Sequence, residues 1–499
     1  MMSRFPQDDQ ELLEKLRAKL GAPKKVDERA ELERLFGKTV PSAEDALREK
    51  LVKNQPVLAK GDIIDLYIEK LSFGGEGIGK HRNAIVFVPD TVPGDTAKVR
   101  IETTSADFFR GQLMEIVARS SDRILPNCPV FSRCGGCHLL HLSYTAQLRA
   151  KRQIIEDAVK PLVQETSIVR APIASPDAFA YRLRAKIQVD PNSSPLRYGF
   201  FARKSHELID LRNCPLLAPL LNRTLAALSN ALPAPLTAPI PTEIHLHANV
   251  QGDQIALSFE SDKPIYLTEI FAKLRTAGIP VTGMLNQGAG RIFETIGEPS
   301  VLHRVGGIDY MTSAGSFFQS NRHLLKSLLD QALMLASPNL KDHILDLYCG
   351  VGFFSIGLGR FAQSVSGVDL DAASIAHAER NALTAGVKQS AFYSGADSTP
   401  FRLNDPRPSL LVIDPPRNGV SPTWMKRIRD LRAAKLLYVS CNPPTFARDL
   451  GLLMEEGYKL RVIQPIDLFP NTYHIEVMAF LTHPLTHIQA ASAVIPDLR

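Results

Sequence analysis

No apolar stretch in this 499-residue sequence approaches the roughly 20 residues that a membrane-crossing helix requires, which argues against a membrane protein. The N-terminus, "MMSRFPQDDQELLEK", lacks the apolar segment of a secretory signal, and Asp8, Asp9 and Glu11 argue against a transit peptide. A cytoplasmic protein with no membrane partner is expected. Cysteine is sparse as well. Six in a chain of this length do not make a disulfide framework, and where thiols stay reduced their spacing points to ligation or catalysis. Neither sign of charge dominates: 58 basic residues stand against 52 acidic ones, a net of +6 that permits a polyanionic partner without demanding one. Internal repeats and low-complexity tracts are also missing, and nothing specifies a second subunit, so a monomer is expected.

The chain is too long for one core, and its composition changes along its length. In residues 1–60, 24 residues are charged with the signs mixed, and "DDQELLEKLRAKL" has helical spacing, so a charged helical or partly disordered extension is expected. Residues 61–119 hold four β-type runs, "DIIDLYIEKL", "AIVFVPD", "TAKVRIETT" and "RGQLMEIVA". The Gly-rich "SFGGEGIGKHRN" reads as a loop between the first two. Short strands with such turns specify a small OB-like β-barrel, an architecture that commonly binds oligonucleotides. Residues 120–305 form a central α+β domain with less regular patterning. From 306 to 499 apolar strands alternate with amphipathic helices, the pattern of a Rossmann-like doubly wound sheet. The fold class is therefore α/β and β, multidomain.

In "HILDLYCGVGFFSIG" a strand runs into a turn with Gly350 and Gly352 and then a helix, which lets a ligand approach the backbone closely. The next strand ends in "GVDLD", where Asp369 can accept hydrogen bonds from ribose hydroxyls. A dinucleotide fingerprint would need glycine at 355, and Ser355 stands there, so a dehydrogenase is the weaker reading. Acidic residues at three strand ends, Asp346, Asp369 and Asp414, suit a ligand with positive charge and no phosphate. S-adenosylmethionine fits that description.

Cys441 ends the strand in "LLYVSCNPPTF" and should face the same crevice, whereas Cys349 reads as a packing cysteine. A thiolate beside a methyl donor has a specific use. Carbon 5 of uracil is a poor nucleophile until a thiolate adds to carbon 6, and a base must later remove the carbon-5 proton so that the thiol can leave. "FPNTYHIEVMAFL" offers two bases, His474 and Glu476, whose spacing of two makes them neighbours on one strand face. The remaining cysteines, Cys128, Cys134 and Cys137 in "CPVFSRCGGC" and Cys214 in "DLRNCPLL", form a four-thiol set that zinc or an iron–sulfur cluster could use.

"SFFQSN", "DLYCGVG", "DPPRNGV", "SCNPPTFARDL" and "FPNTYHIEVMAFL", in this order, resemble the RNA (uracil-5-)-methyltransferases, and within them the iron–sulfur-containing bacterial 23S rRNA branch. The resemblance covers roughly residues 61–485. It implies that S-adenosyl-L-methionine is held by Gln319, Tyr348, Asp369, Asp397 and Asp414, that Cys441 is the nucleophile and Glu476 the base, and that Cys128, Cys134, Cys137 and Cys214 hold a [4Fe-4S] cluster. It likens residues 61–119 to the RNA-binding TRAM barrel. Asn471 stands where a His is usual in the family. The expected reaction is methylation of a uridine of RNA, 23S rRNA first, to 5-methyluridine. A tRNA substrate is the alternative. A non-catalytic iron–sulfur RNA-binding assembly factor would show a degraded cofactor loop or a lost Cys/Glu pair, and neither is seen.

Overall fold

The computed structural model describes residues 58–105, 107–232, 239–395 and 407–484. The chain divides into residues 1–59 and 60–499, and every element named below belongs to the second unit. The expected charged extension lies almost wholly outside the described residues. No helix among them is long and apolar enough to cross a membrane.

Five strands, β1 (Ile63–Leu71), β2 (Gly77–His81), β3 (Ala84–Val88), β4 (Thr96–Thr104) and β5 (Phe109–Ala118), close into a barrel in the order β1-β2-β3-β5-β4. β4 shows why: Ala97, Val99 and Ile101 point inward while the residues between them face solvent. The sequence suggested four strands, and β2 corrects that reading, because half of the Gly-rich stretch is itself a strand. A Cβ at Gly77 would collide with Thr91 and one at Gly79 with the Tyr67 carbonyl. Glycine is what lets β2 run this close to β1.

Residues 120–305, less regular in sequence, contain helix α1 (Tyr144–Val159) and a seven-stranded sheet. Its strands are β6 (Arg184–Asp190), β7 (Arg197–Phe201), β8 (Leu208–Asp210), β9 (Glu243–Ala248), β10 (Ile255–Glu260), β11 (Val281–Gly288) and β12 (Arg291–Gly297), in the order β12-β11-β10-β9-β6-β7-β8. Helices α2 (Pro219–Ala231) and α3 (Leu267–Thr276) pack Leu225, Leu228, Ile270 and Leu274 against Ile244, Leu246 and Leu257 of this sheet. A hairpin, β13 (Ser300–Val305) and β14 (Ile308–Ser313), follows.

The last sheet has the order β17-β16-β15-β18-β19-β21-β20. Strands β15 (His343–Leu347), β16 (Ser364–Asp369), β17 (Ser390–Ser394), β18 (Leu410–Ile413) and β19 (Lys435–Ser440) are parallel. β20 (Lys459–Ile466) pairs antiparallel with β21 (Glu476–Thr482), which is also antiparallel to β19. Helices α4 (Leu325–Ala336), α5 (Phe353–Gly359) and α6 (Ala372–Thr384) share one apolar core with the sheet. Helices α7 (Pro422–Leu431) and α8 (Pro443–Glu455) share the other, joined by Ile155 and Val159 of α1. Where α1 meets the segment after β20, Lys151 donates to Asp467 Oδ1 (2.6 Å) and to the Phe469 carbonyl (3.0 Å). Both charged side chains are fully buried. Removing one partner of such a pair costs about 3–5 kcal/mol, so α1 and this segment are fixed in one arrangement.

Candidate active site

The parallel strands β15, β16, β18 and β19 bring Asp346, Asp369, Asp414 and Cys441 to one edge of the sheet. β21 runs the other way, so its first residue, Glu476, starts at the edge where the others finish. The ladder ends where Ser440 lies opposite Val477, so Cys441 and Glu476 flank its last pair, close enough for the Glu476 charge to act on the thiol. Spacing in the sequence carries no trace of this, because an antiparallel register is set by long-range pairing. His474 is not on the strand, which corrects the expectation of two bases on one strand face. It sits in the preceding turn, its N–H bonded to Thr472 Oγ1 (3.2 Å), its ring 4.1 Å from that of Tyr473. Burial, reinforced by the Arg417 charge, pushes its pKa down to about 3, so the ring is neutral.

The crevice is acidic. Asp346 is buried; its Oδ2 accepts from the Ser355 hydroxyl while its Oδ1 has no hydrogen-bond partner among the described residues. Burial raises its pKa to about 7, and the Asp369 charge adds to the rise. Burial and the neighbouring carboxylates likewise hold Asp414 and Glu476 above the usual range. Cys441 is half-buried, and its thiol is pushed up to about 11 by burial, then by the Glu476 and Asp414 charges, with Arg417 opposing. Cys349, by contrast, lies in the apolar core, as expected of a packing cysteine.

Two features of the loop after β15 shape the ligand side. Tyr348 is held at φ 65° and Gly352 at φ 84°, conformations that turn the chain sharply at the strand end. Asp369 braces this loop by accepting from the N–H groups of Gly350 (2.8 Å) and Asp371 (2.9 Å). Tyr348 and Asp369 also line a cavity of about 650 Å³ with Asn418, Trp424 and Arg448; Gln319, Asp414, Cys441 and Glu476 lie off it. Gln319 is buried with its Oε1 unpartnered among the described residues, and its neighbour Phe318 packs edge-on to Phe353 of α5, 5.6 Å between ring centres. Asp397 lies outside the described residues.

Arg417 is a functional candidate that the reading of strand ends passed over. Its carbonyl is pinned by Asn442 Nδ2 (2.8 Å) and Thr445 Oγ1 (3.1 Å) at the start of α8, and its guanidinium comes within 3.4 Å of His474 Nε2. The signal was present: it is the basic residue of "DPPRNG", beside an acidic strand end.

The other four cysteines gather elsewhere. Cys128, Cys137 and Cys214 share a small apolar cluster with Phe131, Tyr181 and Leu216, and all four are free of disulfides. Burial, with charge repulsion between the thiols, raises the pKa of Cys134, Cys137 and Cys214. The Gly136 N–H lies 3.4 Å from Cys134 Sγ, and Arg203 donates to the carbonyls of Phe131 and Cys137 (both 3.1 Å), clamping the loop. Among the described residues no group of three or more His, Cys, Asp or Glu meets the geometry of a single metal ion.

Comparison with known proteins then gives this geometry a context. The TRAM domain pattern matches residues 58–114, from before β1 into β5, and that of tRNA (uracil-5-)-methyltransferase matches residues 301–393 and 398–484. An uncharacterized RNA methyltransferase of Thermosynechococcus vestitus is 34% identical over 445 residues, covering 85% of this chain and 99% of the relative. The 23S rRNA (uracil(1939)-C(5))-methyltransferase of Shewanella amazonensis is 31% identical, covering 83% of this chain and 95% of its own. The chain belongs to the RNA (uracil-5-)-methyltransferase family. Among solved structures, the tRNA (uracil-54, C5)-methyltransferase of Pyrococcus abyssi, in complex with S-adenosyl-L-homocysteine, is similar with a TM-score of 0.66 and 25% identity, covering 84% of this chain and 100% of its own. In this uracil-5-methyltransferase the barrel, the cysteine loop and the acidic sheet edge thus belong to one RNA-modifying enzyme.

Proposed function

We propose that this enzyme methylates carbon 5 of a uridine in 23S rRNA, with Cys441 as nucleophile and Glu476 as base. The observation that carries the reading is the end of the β19–β21 ladder, which leaves the thiol and the carboxylate on either side of its last pair, within electrostatic reach of each other at an edge already rich in acid. Addition of the Cys441 thiolate to carbon 6 moves an electron pair onto the ring and makes carbon 5 nucleophilic. After carbon 5 is methylated, the Glu476 carboxylate takes its proton. The C–H electrons restore the ring double bond and expel the thiolate.

S-adenosyl-L-methionine, when bound, supplies an electrophilic methyl group on a cationic sulfur. Gln319, Tyr348, Asp369 and Asp414 would hold it, with Asp397 as a further contact, and the fit is chemical. The buried, unpartnered oxygens of Asp346 and Gln319 suit a ligand that brings donors and positive charge. Cys128, Cys134, Cys137 and Cys214 would hold a [4Fe-4S] cluster. Three of these soft donors share one apolar cluster and Cys134 lies within electrostatic reach of it, which fits the group, and it would staple the central domain. The TRAM barrel supports an RNA substrate.

The raised Asp346 carboxyl gives a pH signature. A folded-state value of about 7 means that the folded protein keeps a proton the unfolded chain has released. That stability is complete below the ordinary carboxylate range and is lost as pH rises through about 7. The ligand-free enzyme should therefore melt lower at about pH 8.5 than at about pH 6. Asp346→Asn should reduce the difference, leaving the part that the raised Asp414 and Glu476 carboxyls contribute, and saturating S-adenosylmethionine should shrink it. An Asp346→Asn variant with the wild-type pH dependence would contradict this.

The substrate is tested with labelled S-adenosylmethionine and unmodified RNAs. Label is expected in 23S rRNA as 5-methyluridine. Label confined to tRNA would favour the tRNA activity for which the Pyrococcus enzyme is named, and no label in either would overturn the proposal.

A further inference from the structure

The turn that delivers Glu476 to the crevice is held from outside its own sheet. Asn471, buried and left-handed at φ 65°, uses every polar group it has. Its N–H donates to Gln147 Oε1 (2.8 Å) and its Oδ1 accepts from Gln147 Nε2 (3.0 Å), a reciprocal amide pair. Its Nδ2 donates to the Ala178 carbonyl (2.7 Å), and its own carbonyl accepts from the N–H groups of His138 and Leu139 (both 3.0 Å). His138 directly follows Cys137. One residue earlier, the Pro470 carbonyl accepts from the Tyr181 hydroxyl (3.0 Å), and Tyr181 belongs to the cysteine cluster. Gln147, buried on α1, also donates to the carbonyls of Leu139 and Leu142, so one side chain ties the helix, the cysteine loop and the base turn together.

The two reacting residues are supported differently. Cys441 follows β19, which is paired on both sides by β18 and β21. Glu476 is the first residue of β21, opposite Ile466 of β20 on one side and directly continuous with the turn, so its placement depends on the end of that ladder and on what the turn rests on. We infer that Gln147 is a positioning residue for the base: its amide pair with Asn471 sets where Glu476 stands relative to the ring it must deprotonate. This rests on Glu476 being the base. Proton removal at carbon 5 then depends on the amide pair, and thiol addition at carbon 6 does not.

The test separates the two steps with one enzyme and two RNAs. RNA carrying 5-fluorouridine reports addition and methylation, because the fluorine cannot leave as a cation and the base is never needed. Ordinary RNA reports release. In Gln147→Leu, adduct formation on the fluorinated RNA should stay within about twofold of wild type. Turnover of ordinary RNA should fall on the order of 10²-fold, the loss that a misplacement of about 1 Å produces, with the methylated adduct accumulating. Asn471→Gly, which tolerates the left-handed backbone and lacks the side-chain amide, should give the same split, and it decides the matter if Gln147→Leu does not fold. Equal losses in both assays, or none in either, overturn the inference. Glu476→Gln is run beside them. If it accumulates the adduct while Gln147→Leu and Asn471→Gly release normally, the positioning role fails and the base assignment stands. If it releases normally, both fall.

Discussion

Cys441→Ala forms no covalent complex with RNA containing 5-fluorouridine, and its methyl transfer falls by on the order of 10⁴-fold or more. The expectation follows from ring chemistry rather than from any loss of fold. Without a sulfur at carbon 6 there is no electron pair to make carbon 5 nucleophilic, and none of the neighbours can supply one: Asp346, Asp369, Asp414 and Glu476 are carboxylates, and His474 is a half-buried imidazole in a turn. The cost to stability should be small, because Cys441 is half-buried and belongs to no apolar core cluster. Cofactor affinity should be unchanged within error. A variant that binds S-adenosylmethionine normally and turns over near the wild-type rate would remove the thiol from the mechanism.

Glu476→Gln separates the two halves of the reaction. Addition and methylation proceed, while release slows by about 10²–10⁴-fold, the usual worth of a positioned base. A methylated protein–RNA adduct should therefore build up on ordinary uridine, visible as a band of retarded mobility under denaturing conditions. Burial and the Asp414 charge raise the carboxyl of Glu476, so in the wild type the release step should speed up as pH rises and the group ionises. In Glu476→Gln that dependence should vanish from the release step. A variant that shows slow adduct formation rather than slow release would assign Glu476 to activation of the thiol instead.

How far the sequence carries this account depends on whether a feature is local. The acidic edge was legible because strand–helix alternation dictates where strands end, and Asp369 and the glycine loop follow from one βα unit. The position of Cys441 beside that edge was legible for the same reason, since Pro443 and Pro444 cannot continue a strand. Its closeness to Glu476 was not. Two residues far apart in sequence meet through an antiparallel register, and their spacing says nothing about it. The strand expected to carry both His474 and Glu476 begins only at Glu476, because the left-handed Asn471 and the Thr472 bond keep the preceding residues in a turn.

The central sheet illustrates a different limit. In β10 the first five residues, Ile255–Phe259, are all buried, so the period-two alternation that marks a half-exposed strand is absent. β11 mixes Thr282, Gly283, Asn286 and Gln287 into a strand whose polar side chains serve the interior: Asn286, wholly buried, bonds to the Ile265 N–H (3.0 Å) and the Phe259 carbonyl (3.2 Å). β2 was read as loop because glycine weakens local strand preference, although steric closure of the barrel demands it there. In each case the residue is chosen by a partner far along the chain.

The most direct test of the central claim is to find the atom that carries the RNA. Wild-type enzyme is trapped on 5-fluorouridine RNA with S-adenosylmethionine, digested with protease and nuclease, and the modified peptide is sequenced by mass spectrometry. The account predicts a fluoro-methyl-uridine fragment on Cys441, within the "SCNPPTF" peptide. The same fragment on Cys349 or on any other residue, or its absence from every peptide of an enzyme that still methylates RNA, would contradict it.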